Sequence, residues 1–189
     1  MYSGMQSDVE RLIEIFKNEP GAIQHAEPGK PFHFAGGNDS NNKIEAELVL
    51  KNEEGAEIIG KLVGSKIIDL EKRNRKKYEI AGVANGGARV AEMAAGFLVR
   101  DYVSLNHKTG ELIGKIYPVE HVICEDVTTL ASSIKKCYEK FILPKKAFAK
   151  HTITVVDRNE GAVENLAKLG IEHHYFITKE RLGIYENSF

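Results

Sequence analysis

From residue 79 onward the chain alternates short β-rich runs with helical patterns, and this alternation restricts the possible folds more than any other feature. The β-rich runs are 79–84, 121–124, 152–156 and 171–177. Apolar residues recur at helical spacing in 90–98, 134–141 and 162–169. Short apolar runs are typical of strands that are covered on both faces. Strand, loop and helix in repetition therefore predict an α/β fold, in which helices flank a parallel sheet.

The first part of the chain is less regular. Ser7-Asp8-Val9-Glu10 matches a capping box and predicts a helix that starts at Ser7 and ends before Pro20-Gly21. The alternation in 44–50 predicts a strand, and the apolar spacing in 58–70 predicts a helix. We expect a single domain, 1–189, in which about the first 45 residues form a small flap over one edge of the sheet.

Charge and composition exclude several classes of protein. Lys and Arg total 26 against 27 for Asp and Glu, a net charge of -1, which argues against a nonspecific nucleic-acid binder. No stretch approaches the ~20 apolar residues of a membrane span, and residues 1–7 have no apolar signal core. Cys124 and Cys137 are too few for a disulfide framework, so we expect a cytoplasmic protein. None of the seven histidines pairs with cysteine or acid at metal-ligand spacing, so we expect no metal-ligating residues. The doublet His173-His174 lies in a predicted strand, where neighbours point to opposite faces, and we expect it to be structural.

Three predicted strands end in segments with unusual chemistry. They are followed by 82–87 (GVANGG), 125–129 (EDVTT) and 157–161 (DRNEG). In parallel sheets, ligands bind at the carboxyl ends of the strands. The convergence of these three segments at one edge therefore predicts the functional site.

Each segment has a functional and a purely structural interpretation. The glycines of 82–87 could form an anion-binding nest or a simple strand-to-helix turn, and the Walker and GxGxxG patterns are absent. Two adjacent acids, Glu125 and Asp126, are costly near a sheet without partners, and sugar hydroxyls or hydrated Mg²⁺ would be suitable partners. The hydroxyls that follow could bind phosphate or only cap a helix. Arg158 offers a fork to a planar ligand, or forms a surface ion pair.

In their order along the chain and in their residues, these segments resemble the type I phosphoribosyltransferases, and most closely their orotate branch. The segment 122–129 resembles the signature for phosphoribosyl pyrophosphate (PRPP), an apolar strand followed by two acids and a hydroxyl-bearing loop. The segment 156–161 resembles the stretch whose arginine contacts the pyrimidine base, and 82–87 resembles the pyrophosphate loop. An N-terminal hood segment is matched by 32–40, and the tail of the mobile catalytic loop by 108–114.

The resemblance implies a Rossmann-like parallel sheet with a small N-terminal hood, and transfer of ribose 5-phosphate from PRPP to a pyrimidine base with Mg²⁺. Asp126, His107 and Lys108 would be catalytic, and Arg158 and Thr129 would contact the base. PRPP would be held by Glu125, Asp126, Thr128, Thr129, Ala131, Ser132 and Ser133, with Asn85, Gly86 and Gly87 at the pyrophosphate. The family is commonly dimeric, which implies a homodimer with small-molecule substrates and no nucleic-acid or membrane partner.

The sequence also departs from the family pattern. Residues 129–133 are Thr-Leu-Ala-Ser-Ser where the family has Thr-Thr-Gly-Gly-Ser. A non-glycine residue forced to positive φ there would cost roughly 1–2 kcal/mol. The segment 101–108 lacks most of the cations of the mobile loop, and the aromatic pair of the hood is replaced around Asn42-Lys43. Two alternatives therefore stay open, a weak or inactive paralogue that binds PRPP or nucleotide in a regulatory role, and a phosphoribosyltransferase for another base.

Overall fold

The computed structural model describes residues 3–33 and 39–185, so the centre of the predicted hood segment, 34–38, lies outside the described residues. The helices are α1 (Ser3–Asn18), α2 (Ala46–Lys51), α3 (Glu53–Asn74), α4 (Gly86–Leu98), α5 (Ser132–Cys137) and α6 (Ala162–Ala167). The strands are β1 (Ile23–His25), β2 (Phe32–His33), β3 (Asp39–Ser40), β4 (Asn42–Ile44), β5 (Glu79–Val83), β6 (Tyr102–Leu105), β7 (Leu112–Ile113), β8 (Glu120–Thr128), β9 (Phe148–Asp157) and β10 (Glu172–Thr178). A π-helical turn (Tyr138–Ile142) and a 3-10 turn (Leu143–Lys145) extend α5, and a second 3-10 turn (Lys179–Leu182) follows β10.

In the described part of the chain, six strands form the central sheet in the order β10-β9-β8-β5-β6-β7. All neighbours are parallel except β7, which is antiparallel to β6. Apolar clusters cover both faces, because alternate residues of a strand point to opposite sides. Val122 and Cys124 pack with α1 to α4, whereas Ile123 packs with α5 and α6. The predicted α/β fold with a parallel sheet between helices is confirmed.

Residues 23–44 form two small antiparallel pairs, β1 with β4 and β2 with β3. They occupy the region predicted to form the hood. None of the helices within 3–33 and 39–185 combines the length and apolarity needed to cross a bilayer.

Two local predictions are wrong. Helix α1 begins at Ser3, and the Ser7 hydroxyl lies inside it and donates to the Gly4 carbonyl at 2.8 Å, so Ser7 does not cap the helix. The predicted strand 44–50 is mostly helix α2. Its buried residues, Ala46, Val49 and Leu50, have the three- and four-residue spacing of a helix, which outweighs the two-residue alternation of the same segment.

One buried carboxylate ties α3 to the sheet. Glu71 accepts hydrogen bonds from both terminal nitrogens of Arg100, at 2.6 and 3.0 Å, from Lys77 Nζ at 2.7 Å and from the Tyr78 amide at 3.2 Å. Burial alone would raise the pKa of Glu71, but the hydrogen bonds from Arg100 and Lys77 outweigh it and lower that pKa below its ordinary value. The charge is therefore well compensated where α3 meets the start of β5.

Candidate active site

The three predicted strand ends lie side by side. In the sheet, Gly82 of β5 pairs with Cys124 of β8, and Thr128 of β8 pairs with Asp157 of β9. Because all three strands are parallel, the segments that follow them reach the same edge. Strand β8 continues through Thr128, so Glu125 and Asp126 lie within the strand and not after it.

The glycine turn packs directly on the acid pair. A Cβ atom at Gly86 would lie 1.9 Å from Asp126 Oδ2, and one at Gly87 would lie 2.5 Å from the Cys124 carbonyl oxygen and 2.7 Å from Glu125 Oε1. Any side chain at these positions would displace its neighbours, so the two glycines are required by close approach. Asn85, just before them, is exposed, and the Ala84–Asn85 peptide is cis.

The acid pair sits in an environment that disfavours its charge. Burial raises the pKa of Glu125 well above its ordinary value, and the neighbouring Asp126 raises it further. Burial also raises the pKa of Asp126, against the hydrogen bonds that it accepts from Glu125 and from nearby backbone amides. Hydroxyl donors or a cation supplied by a ligand would compensate these carboxylates.

The loop that follows β8 has the backbone conformation anticipated from its missing glycines. Ala131 has φ 58° and ψ 22°, in the left-handed region, at the position of the family's first glycine. Thr128 is buried and shares a hydrogen bond of 3.1 Å with Thr154, so its hydroxyl is used within the sheet. Thr129, Ser132 and Ser133 are half-buried. A cavity of about 400 Å³ borders the loop and is lined by Leu130, Ala131, Ser132, Lys135, Asn165, Leu166, Lys168 and Leu169.

Arg158, just after β9, joins this edge of the sheet to the predicted hood. It is 3% exposed. Its Nε donates to Glu160 Oε1 at 2.9 Å, its Nη2 to the Ser40 hydroxyl at 2.8 Å and its Nη1 to the Asn42 carbonyl at 3.2 Å. Lys179 Nζ lies 3.4 Å from the same Glu160 oxygen. The sequence analysis identified Arg158 but not its partners Ser40, Glu160 and Lys179. Ser40 and Lys179 are far from Arg158 in the sequence, and only Glu160 is close to it.

His107 and Lys108 occupy the turn between β6 and β7, which the Asn106 side chain organises. Its Oδ1 accepts hydrogen bonds from the amides of Lys108 and Thr109, at 3.1 and 3.2 Å. His107 Nδ1 lies 3.7 Å from Cys137 Sγ, on α5, and burial lowers the pKa of His107. Lys108 is exposed. The contacts of His107 are thus with α5 and not with the acid pair.

Comparison with known proteins places these features in a family. A scan against models of protein families found no match. An orotate phosphoribosyltransferase of Methanocaldococcus jannaschii is 30% identical over 184 residues, which cover 91% of this chain and 95% of the relative. The crystal structure of orotate phosphoribosyltransferase from Aeropyrum pernix has a TM-score of 0.74 at 23% identity and covers 90% of this chain and 96% of that one.

A second solved structure is the Mycobacterium tuberculosis orotate phosphoribosyltransferase in complex with PRPP. Its TM-score is 0.71 at 16% identity, with 94% of this chain and 99% of that chain covered. At these identities the two structures support the fold, which is that of the type I phosphoribosyltransferases. The identity and coverage of the Methanocaldococcus relative add the family: the chain belongs to the orotate phosphoribosyltransferases.

Proposed function

We propose that this chain transfers ribose 5-phosphate from PRPP to orotate and so produces orotidine 5′-phosphate and pyrophosphate. A ring nitrogen of the base forms a bond to the sugar carbon as the bond from that carbon to pyrophosphate breaks, and the proton of that nitrogen is released to the departing pyrophosphate or to water. The single observation that carries the proposal is the meeting of the acid pair, the glycine turn and Arg158 at one edge of the sheet. The relatives are named for this activity, and the regulatory and other-base alternatives are not favoured.

In this proposal the acid pair holds the ribose. Positive charge develops at the sugar carbon in the transition state, and Glu125 and Asp126 accept hydrogen bonds from the ribose hydroxyls beside it. Their raised pKa values follow from burial without a ligand. Hydroxyl donors favour the ionised form, so binding of PRPP should lower the pKa of both groups.

The loops divide the remaining parts of the substrates. Backbone amides and hydroxyls of the loop after β8 hold the 5-phosphate, and the glycine turn holds the pyrophosphate. Arg158 contacts the planar base from beneath the hood, where Ser40 and Glu160 fix its fork. The residues assigned to PRPP are Asn85, Gly86, Gly87, Glu125, Asp126, Thr129, Ala131, Ser132 and Ser133, with Thr129 also beside the base. Thr128, whose buried hydroxyl is bonded to Thr154, would serve the site only by fixing the start of this loop.

Mg²⁺ fits the chemistry of this site. The carboxylate oxygens of Glu125 and Asp126 are the hard ligands that Mg²⁺ prefers, directly or through water. Bound together with PRPP, the ion would neutralise charge on the pyrophosphate. His107 and Lys108 are proposed to assist departure of the pyrophosphate, which requires their turn to approach the acid pair from its contact with α5.

The proposal also covers the domain organisation, the oligomeric state and the cellular location of the protein. Residues 1–189 act as one domain whose first ~45 residues contribute the hood, since Arg158 bonds to Ser40 and Asn42. The protein works as a homodimer on small molecules, without nucleic acid or membrane. Both cysteines are free and buried, which suits the reducing cytoplasm.

The test is PRPP- and Mg²⁺-dependent consumption of orotate, with a panel of other bases beside it. We expect turnover with orotate, and loss of turnover in Asp126→Asn and Arg158→Ala. Turnover with purines alone would overturn the base assignment. Absence of turnover with every base, together with a rise in melting temperature on adding PRPP, would favour the regulatory alternative.

A further inference from the structure

A cluster of nitrogen and oxygen donors lies at the end of the sheet opposite to the candidate active site. His151 is near the start of β9, and Glu172 and His174 are near the start of β10. In the parallel register Glu172 pairs with His151, and His174, two residues later, points to the same face as Glu172. Three potential ligands thus come together from two neighbouring strands.

The distances within this cluster match the coordination geometry of a small transition-metal ion. His151 Nδ1 lies 3.3 Å from Glu172 Oε2 and 3.3 Å from His174 Nε2, and His174 Nε2 lies 3.7 Å from Glu172 Oε2. A tetrahedral zinc ion with bonds of about 2.0–2.1 Å requires ligand atoms about 3.3–3.4 Å apart. The three donors therefore already form one face of such a tetrahedron.

From this geometry we propose that His151, Glu172 and His174 bind a zinc-class divalent ion, with water in the fourth position. Two imidazoles and one carboxylate are a known zinc ligand set, whereas Mg²⁺ prefers oxygen ligands alone. The site is therefore chemically distinct from the Mg²⁺ site proposed at the acid pair, and its occupancy does not depend on the proposed function.

The surroundings of His151 are suited to a second shell of support. Its other ring nitrogen, Nε2, lies 3.3 Å from Asn74 Nδ2, and the same Nδ2 donates to the Tyr78 hydroxyl at 2.6 Å. With a metal on Nδ1, rotation of this amide by 180° would present Oδ1, which would accept hydrogen bonds from both the ring and the hydroxyl. An acceptor on the distal nitrogen fixes the tautomer that leaves Nδ1 open to a metal. The ring is also confined by packing, because His151 is buried.

One neighbouring cation competes with the ion. Arg73 Nη2 donates to Glu172 Oε2, the donor atom itself, at 3.0 Å. Glu172 is half exposed, so its carboxylate has room to keep Arg73 on one oxygen while the other binds metal. Removal of Arg73 should therefore strengthen metal binding, because the ion no longer competes with the guanidinium for Glu172.

The experiment is a calorimetric titration of the full chain with Zn²⁺, after treatment with a chelator and dialysis. We expect one ion per chain, a rise in melting temperature with Zn²⁺, and no comparable effect of Mg²⁺. His174→Gln and Glu172→Gln should each weaken Zn²⁺ binding by on the order of 100-fold, more than loss of an outer partner. Arg73→Gln should bind Zn²⁺ more tightly than the unaltered chain.

The matched control is His33→Gln, which removes an exposed imidazole from a distant segment and should leave Zn²⁺ affinity unchanged. X-ray absorption of the zinc-loaded chain should show two imidazole ligands. The proposal is overturned if micromolar Zn²⁺ does not bind, or if His174→Gln binds it as tightly as the unaltered chain. Neither result would bear on orotate turnover, so the two proposals fail independently.

Discussion

Arg158 Nη2 donates a hydrogen bond of 2.8 Å to the hydroxyl of Ser40, 118 residues away in the sequence. This bond, with the one to the Asn42 carbonyl, joins the loop after β9 to the predicted hood. The guanidinium is therefore held in one orientation before any base arrives. Its planar fork, and not only its charge, is what the surrounding residues position.

Substitution of Arg158 by Lys tests this orientation. A lysine keeps the charge but cannot bond to Glu160, Ser40 and a base at once. Since a hydrogen bond to a charged group contributes about 1.5–3 kcal/mol, we expect the KM for orotate to rise about 10- to 100-fold, with a much smaller change in the KM for PRPP. Arg181→Gln, which removes an exposed arginine paired with Glu10, is the control. An equal rise in the KM for orotate and in the KM for PRPP would contradict the assignment.

Glu125→Gln should stabilise the protein while it abolishes PRPP binding. Burial raises the pKa of Glu125, so the folded state holds a proton that the unfolded state releases. That contribution is full below the unfolded pKa and is lost as pH rises through the folded pKa. The amide variant should therefore exceed the unaltered chain by about 0.5–2 kcal/mol in free energy of unfolding at neutral pH. Urea unfolding at several pH values measures the difference in free energy of unfolding between the variant and the unaltered chain. The prediction is contradicted if this difference does not widen as pH rises.

Alanine substitutions at Gly86 and Gly87 should distinguish the glycine that is needed for PRPP binding from the glycine that is needed for stability. In Gly86→Ala the new methyl meets the end of the Asp126 side chain, which can rotate away, so the fold should survive and PRPP binding should fail. In Gly87→Ala it meets the Cys124 carbonyl, which cannot move, and we expect a loss of about 1–3 kcal/mol in stability. Gly96→Ala, with nothing within 4 Å in α4, should gain up to about 1 kcal/mol. Thermal unfolding and PRPP titration give the two readouts.

Substitutions at Ala131 test how much the replacement of the family's glycines affects stability and PRPP binding. Its left-handed conformation costs roughly 1–2 kcal/mol, which glycine relieves but partly offsets through its greater freedom in the unfolded chain. We expect Ala131→Gly to leave stability within about 1 kcal/mol and to bind PRPP more tightly, and Ala131→Val to weaken both. Calorimetry with PRPP is the measurement. If the valine variant bound as well as the glycine variant, the loop conformation would not limit binding.

Glu71→Gln should destabilise the fold without touching the candidate site. It breaks a buried pair with Arg100, for which a loss of about 3–5 kcal/mol is typical. Because hydrogen bonds to Arg100 and Lys77 lower the pKa of Glu71 despite its burial, its stabilisation is present above the unfolded pKa and is lost as pH falls through the folded one. Chemical unfolding at pH 7 and pH 4 should show the gap between variant and unaltered chain closing in acid. Glu54→Gln, in an exposed pair, should leave the unfolding midpoint nearly unchanged.

Strands β5, β8, β9 and β10 and helices α4, α5 and α6 could be predicted because each carries its own periodicity, and the meeting of these strands at one edge follows from parallel topology. The short strands β6 and β7 were not predicted. The start of α1 and helix α2 could not be predicted either, because a capping box and a short alternation are local patterns that longer-range packing overrides. The Arg158–Ser40 contact joins distant segments without a shared motif. The sequence alone favours a structural role for His174, because His151 is brought beside it only by the strand register.

The acid pair and the glycine turn belong to β8 and β5, the two innermost strands of the sheet. Each of these strands pairs with a neighbour on both sides, so substitutions in the outer strands, β10 and β7, can accumulate without displacing the candidate active site. Because the inner strands are paired on both sides, chains that share under a quarter of their residues with this one can still have closely similar structures. Two of the three proposed zinc ligands, Glu172 and His174, lie on such an outer strand, β10, and can therefore vary at little risk to the acid pair.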